Sequence, residues 1–153
     1  MTKLSFDVIV ALQGYTLVTA ESCTGGGIGA ALTEVPGSSA VYKGGIISYT
    51  NDVKIAQLGV DSVVLEKCGA VSEEVARQMA IGARERLCAD YAVSVTGLAG
   101  PDGDDFGNPV GTVYVGFSSN REVTVRKYQF CGNRKEIRDQ TIRVALELIL
   151  SQI

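Results

Sequence analysis

The chain has 153 residues, 46% of them hydrophobic and 20% charged, which suits one packed domain spanning residues 1–153. Fourteen basic against seventeen acidic side chains leave a net charge of −3. That balance excludes broad electrostatic binding to nucleic acid or to an anionic membrane surface, both of which need concentrated positive charge.

No apolar run approaches the ~20 residues that span a bilayer. The opening stretch, MTKLSFDVIVALQGY, holds one lysine and a short apolar segment interrupted by Asp7. With no small-residue cleavage signal it reads as part of the fold, and the protein as cytoplasmic. Cys23, Cys68, Cys88 and Cys131 form no CxxC pair, so they read as reduced thiols rather than a zinc or redox site. Histidine is absent. A Ser-His-Asp triad, a Cys-His dyad and histidine-ligated metals are thereby excluded. Proton transfer near neutral pH must use Lys, Tyr, Cys, a carboxylate or water.

In chain order, residues 3–13 read as a helix, with Leu4, Val8 and Ala11 or Leu12 near helical spacing, and Gly14 breaks it. Residues 15–20 read as a buried strand. Thr24 and three glycines then open a helix through Ile28–Leu32 that stops before Pro36-Gly37. Residues 45–49 read as a second buried strand, and Asn51 or Asp52 as the N-cap of a helix carrying Lys54, Ile55 and Leu58. Ser72 starts a long helix to about residue 89, with Val75, Met79, Ile81 and Leu87 on its apolar face. Residues 92–96 form a third strand, ended by the loop GLAGPDGDDFGNPVG. Residues 112–117 and 123–130 read as a hairpin. Asn133 caps a last helix to about residue 150, with Ile137, Thr141, Val144 and Leu148 on one side. The predicted fold is α/β: a three-layer α/β/α sandwich around a mixed, mainly parallel sheet.

In such sheets ligands bind beyond the carboxyl ends of the strands. Three loops qualify: AESCTGGG, SYTNDVK and TGLAGPDG. In the first, Ser22 stands between a strand and a glycine-led helix whose free N–H groups favour a phosphate or an oxyanion. Ser22 or Thr24 as a simple helix cap is the plainer alternative. In the second, Tyr49 ends the strand and Lys54 lies in the first turn of the next helix, where an ammonium is disfavoured. A neutral Lys54 could take the Ser22 proton, with the Tyr49 hydroxyl relaying or orienting it. The plainer alternative is a surface lysine and a core tyrosine. Cys23 competes with Ser22 as nucleophile, or is a small buried hydrophobe. Asp102, Asp104 and Asp105 read as a solvated loop, and no metal site is expected.

The blocks AESCTGG, GGIISYTNDVK, GAVSEEVA and GLAGPDG…NPVGTVYVGF closely resemble the CinA C-terminal domain family, in order and over nearly the whole chain. Characterised members include nicotinamide mononucleotide amidases of the PncC type. The resemblance implies hydrolysis of nicotinamide mononucleotide to nicotinate mononucleotide and ammonia. It puts the family's nucleophile on Ser22, its tyrosine and lysine on Tyr49 and Lys54, and its glycine-rich binding loops on Thr24, Gly25, Gly26, Gly97, Ala99 and Gly100. No cofactor is implied. The expected partners are a small nucleotide substrate and further copies of the chain. At this length the N-terminal domain of full-length members is expected to be missing, and its activities do not transfer. Asp104 and Asn108 stand where the family usually has glycine and lysine. That change weakens attraction for a phosphate and keeps open a non-catalytic nucleotide-binding paralogue. Amidase chemistry on another small amide is a third reading.

Overall fold

The computed structural model describes all residues, Met1–Ile153. The elements in order are α1 (Thr2–Ala11), β1 (Leu17–Glu21), α2 (Gly27–Thr33), a 3-10 turn (Ser38–Ala40), β2 (Tyr42–Ile47), α3 (Asn51–Leu58), α4 (Ser62–Cys68), α5 (Glu73–Arg86), β3 (Tyr91–Gly97), β4 (Thr112–Ser118), β5 (Val123–Gln129) and α6 (Arg134–Gln152). The five strands form one sheet in the order β2-β1-β3-β4-β5. β1 is parallel to both β2 and β3, while β3–β4 and β4–β5 pair antiparallel. β4 alone therefore runs against the other strands.

The sheet is covered on both faces, as the fold class requires. One face packs β1, β3 and β4 side chains (Leu17, Val93, Val95, Val113, Val115) against α1, α2 and α6, through Val8, Ile28 and Leu146 among others. The other face sets Val18, Ala20 and Ala92 against Leu58, Leu65, Val75 and Met79 of α3, α4 and α5. The expected apolar side of the last helix holds: Ile137, Thr141, Val144 and Leu148 are all buried. Its N-terminus is a full capping box. Asn133 Oδ1 accepts from the Glu136 N–H at 2.9 Å, and Glu136 Oε1 accepts from the Asn133 N–H at 3.0 Å.

The structure corrects several expectations. β2 runs Tyr42–Ile47, three residues earlier than the apolar run suggested, because it pairs from Leu17↔Tyr42 through Glu21↔Ile47. It is an edge strand with Ile47 exposed, not a buried one. Thr50, rather than Asn51 or Asp52, is the N-cap of α3. α4 was not foreseen, and on α5 Ile81 and Leu87 are only half-buried.

Close helix contact positions α3. A methyl group at Gly82 on α5 would lie 1.9 Å from the Leu58 carbonyl oxygen at the end of α3. Gly82→Ala is therefore expected to cost at least about 1–3 kcal/mol by overpacking, read as a lower urea midpoint. An unchanged midpoint would show that α3 moves freely off α5.

Candidate active site

Register brings the three loops together. Glu21 pairs with Ile47 on one side and Val95 on the other, so β1 and β2 end level and β3 runs two residues further, to Gly97. Main-chain bonds extend that alignment past the strand ends: Ser22 N–H donates to Val95 C=O at 3.2 Å, and Ser48 N–H to Glu21 C=O at 2.7 Å. The loops enclose a cleft of about 300 Å³ lined by Ser22, Cys23, Tyr49, Lys54, Asp102 and Arg134, with Gly97, Ala99 and Gly100 forming the β3 wall. That volume is at the low end of small-molecule pockets, about 300–1,000 Å³. A larger cavity of about 450 Å³ lies at the opposite end of the sheet, between Tyr15, Arg84, Asp90 and Arg121. It pairs no nucleophile with a base.

Ser22 and Lys54 meet at the cleft floor. Lys54 Nζ lies 3.0 Å from Ser22 Oγ and donates to the Ser48 carbonyl at 2.7 Å. Lys54 is 1% exposed and Ser22 7%. No carboxylate pairs with the ammonium, as none of the ion pairs involves it. Burial pushes the Lys54 ammonium down from its ordinary 10.5 to about 8, against a smaller upward pull from Cys23. A neutral amine keeps two N–H groups and gains a lone pair. It can then donate to Ser48 and accept from the Ser22 hydroxyl, which reverses the 3.0 Å bond and readies Oγ for attack.

Cys23 is buried beside the pair, and burial raises its thiol from 9.0 to about 11, so it stays protonated near neutral pH. Tyr49 lines the same cleft but is 58% exposed. Its hydroxyl accepts from Arg134 Nη2 at 2.9 Å, and Arg134 Nη1 donates to Gly100 C=O at 2.6 Å. Tyr49 makes no hydrogen bond to Ser22 or Lys54. It stands with Arg134 as a strap across the mouth of the cleft.

Thr24, Gly25 and Gly26 lie behind Ser22 rather than on the cleft wall. The Thr24 side chain is fully buried, its hydroxyl donating to Glu21 Oε1 at 2.7 Å. The loop's main-chain donors divide into paired and unpaired groups. Gly25 and Gly27 N–H close local turns onto Ser22 and Thr24 carbonyls. Ile28 and Gly29 N–H go to Glu21. The N–H groups of Cys23, Thr24 and Gly26 donate to nothing in the protein. Arg138 draws the Cys23 and Thr24 carbonyls to itself, at 3.0 and 3.1 Å. Because C=O and N–H point opposite ways in a trans peptide, the Thr24 N–H faces away from Arg138. Thr24 is fully buried, however, and of the three unpaired N–H groups only that of Cys23 belongs to a residue lining the cleft.

Arg134, Arg138 and Glu21 were missed in the sequence. Each would have needed knowledge that its partner loops converge. Asp104 and Asn108 lie outside the cleft lining. Asn108 Nδ2 donates to Asp104 Oδ2 at 2.8 Å and to Val71 C=O at 3.0 Å. Partial burial would raise the Asp104 carboxyl, but hydrogen bonds from Asn108 and from the Phe106 and Asn108 N–H groups hold it below the usual range. The loop thus absorbs its own carboxylate.

The model of the CinA C-terminal domain matches residues 3–153. The chain belongs to this family. It is 48% identical over 141 residues to a CinA-like protein of Thermosynechococcus vestitus, covering 90% of the chain and 34% of that protein. A CinA-like protein of Desulfotalea psychrophila is 47% identical over 137 residues, covering 90% and 33%. The chain thus spans about a third of the length of the curated relatives it matches. Among solved structures, the competence/damage inducible protein CihA from Agrobacterium tumefaciens superposes with a TM-score of 0.95 at 43% identity, over 98% of this chain and 93% of that one. A competence damage-inducible protein from Klebsiella pneumoniae gives 0.94 at 33% identity, over 97% and 93%. The CinA-domain chain shares this α/β fold. No helix in it is long and apolar enough to cross a membrane.

Proposed function

We propose that this CinA domain is an amidohydrolase acting through a serine–lysine pair, with nicotinamide mononucleotide as its substrate. One observation carries the chemistry: a buried lysine without a carboxylate partner lies 3.0 Å from a serine hydroxyl at the floor of a cleft. The substrate rests on the resemblance of the four sequence blocks.

In the first half-reaction neutral Lys54 takes the Ser22 proton while Oγ bonds to the carboxamide carbon. The negative oxygen so formed is met by the Cys23 N–H, which lines the cleft and has no acceptor in the protein. The tetrahedral adduct collapses as the Lys54 ammonium returns its proton to the leaving nitrogen, and ammonia departs. Water then attacks the acyl ester and gives one proton to Lys54, which passes it to the departing Ser22 Oγ; the acid so formed releases its remaining proton to solvent and leaves as the carboxylate. Each half-reaction ends with Lys54 as the amine. Arg134 and Tyr49, strapped across the mouth, are placed to orient the nucleotide, with Gly97, Ala99 and Gly100 allowing close approach.

The test is ammonia release from nicotinamide mononucleotide, other pyridine nucleotides and simple amides, with and without chelator. The expected result is release from the mononucleotide, undiminished by chelator. Release only from other amides would keep the chemistry and replace the substrate. Binding without release from any amide would select the nucleotide-binding paralogue. Loss with chelator and return with a divalent ion would overturn the metal-free scheme.

A further inference from the structure

Behind the nucleophile lies a carboxylate that the proposed mechanism does not use. Glu21, the last residue of β1, is 1% exposed and pairs with no cation. Four donors converge on it. Oε1 accepts from the Thr24 hydroxyl at 2.7 Å and the Ile28 N–H at 2.8 Å. Oε2 accepts from the Gly29 N–H at 3.0 Å and the Thr19 hydroxyl at 3.1 Å. Tyr42 extends the network, its hydroxyl 2.8 Å from Thr19 Oγ1. Glycine at 29 and 45 leaves room for it: a Cβ there would stand 2.5 and 2.7 Å from the Tyr42 hydroxyl.

The main chain of the same residue touches the catalytic pair. Ser22 follows it directly. Its carbonyl accepts from the Ser48 N–H, and the Ser48 carbonyl in turn accepts from Lys54 Nζ. One side chain thus ties the start of α2 to the strand end that supports both Ser22 and Lys54. It also occupies the Ile28 and Gly29 donors and fixes the Thr24 side chain, two residues after the nucleophile.

We propose that Glu21 is a positioning residue for the Ser22 reaction: its buried carboxylate anchors the nucleophile loop so that Ser22 Oγ and the Cys23 N–H keep their places relative to Lys54. This rests on the serine–lysine reading. Only a carboxylate fits the role. It offers about four acceptor positions for four donors, whereas a glutamine would turn an NH₂ group toward N–H donors.

The experiment compares wild type, Glu21→Gln, Thr24→Val and Ser94→Ala. Ser94 serves as the control, being a buried serine on β3 whose hydroxyl donates to Ala76 C=O at 2.7 Å, away from the loop. The readouts are kcat and KM for ammonia release, the rate of Ser22 labelling by a sulfonyl fluoride followed by mass spectrometry, and urea stability. Glu21→Gln is expected to lower kcat and labelling by about 10²-fold, the scale of a misplacement near 1 Å. KM should stay within about twofold, since the cleft walls are untouched. The rising limb of the pH–rate profile near 8 should not move, because burial sets the proton affinity of Lys54. Thr24→Val, which removes one donor, should fall about tenfold, and it remains decisive if Glu21→Gln does not fold. Ser94→Ala should lose stability but no rate.

Wild-type rates in the Glu21 and Thr24 variants, or losses matched by Ser94→Ala at equal stability, would overturn the positioning role and leave the amidase reading standing. A wild type that neither releases ammonia nor labels at Ser22 would overturn both.

Discussion

Ser22→Ala is expected to lower ammonia release at least about 10³-fold, because the hydroxyl is the atom that bonds to the carboxamide carbon and nothing nearby replaces it. Cys23 is the neighbour that could be asked to. Its thiol is raised to about 11 by burial, so the thiolate is scarce near neutral pH. Nucleotide affinity should change by less than about threefold, since the cleft is also walled by Tyr49, Arg134 and the Gly97–Gly100 segment. Stability should hold or rise slightly, as one hydroxyl contact to Lys54 is lost and no cavity larger than an oxygen is left. Calorimetric binding of the mononucleotide alongside ammonia release separates these effects. Retained turnover in Ser22→Ala would remove the covalent intermediate and point to a directly activated water.

The positions of Ser22 and Lys54 were legible because topology does most of the work. A residue just past a parallel strand, or in the first turn of the helix after one, must lie on the carboxyl rim whatever the details of packing. Register and burial were not legible. The run IISY looks like a buried strand, yet its partner β1 starts at Leu17 and draws β2 back to Tyr42, leaving Ile47 exposed on the edge. α4 has only Leu65 buried and is capped by Asp61, so no apolar period announced it. Glu21 gave the opposite difficulty. An acidic residue ending a strand reads as solvated. Its placement among a buried strand, a threonine three residues on and a glycine-led helix was the available clue, since such donors call for a buried acceptor. Tyr49 was legible as a rim residue but not as a partner of Arg134, 85 residues away. Long-range side-chain pairing leaves no period in a sequence.

Lys54→Met and Lys54→Arg are both expected to reduce turnover at least about 10³-fold, for different reasons. Methionine has no base, and guanidinium does not give up its proton. For the wild type, a pKa near 8 leaves about a tenth of Lys54 as the amine at pH 7, against about one part in 3,000 at the ordinary 10.5. Turnover should therefore climb about tenfold per pH unit below 8 and level off above it. The same shift fixes the sign of its stability effect. Between about pH 8 and 10.5 the unfolded chain holds a proton on Lys54 that the folded chain lacks, so folding stability gains with rising pH across that window. Below pH 8 the cost of the buried ammonium is fully present, on the order of 3 kcal/mol from the size of the shift. Lys54→Met removes that cost, so at pH 7 it should be at least as stable as wild type while inactive. Subtracting its pH–stability curve from that of the wild type cancels Cys23 and the tyrosines, which both proteins share. A difference that rises between pH 8 and 10.5, together with a turnover limb near 8, would assign both to Lys54. A flat difference would mean that Lys54 titrates as an ordinary lysine, and a limb that survives in Lys54→Arg at wild-type height would exclude it as the base.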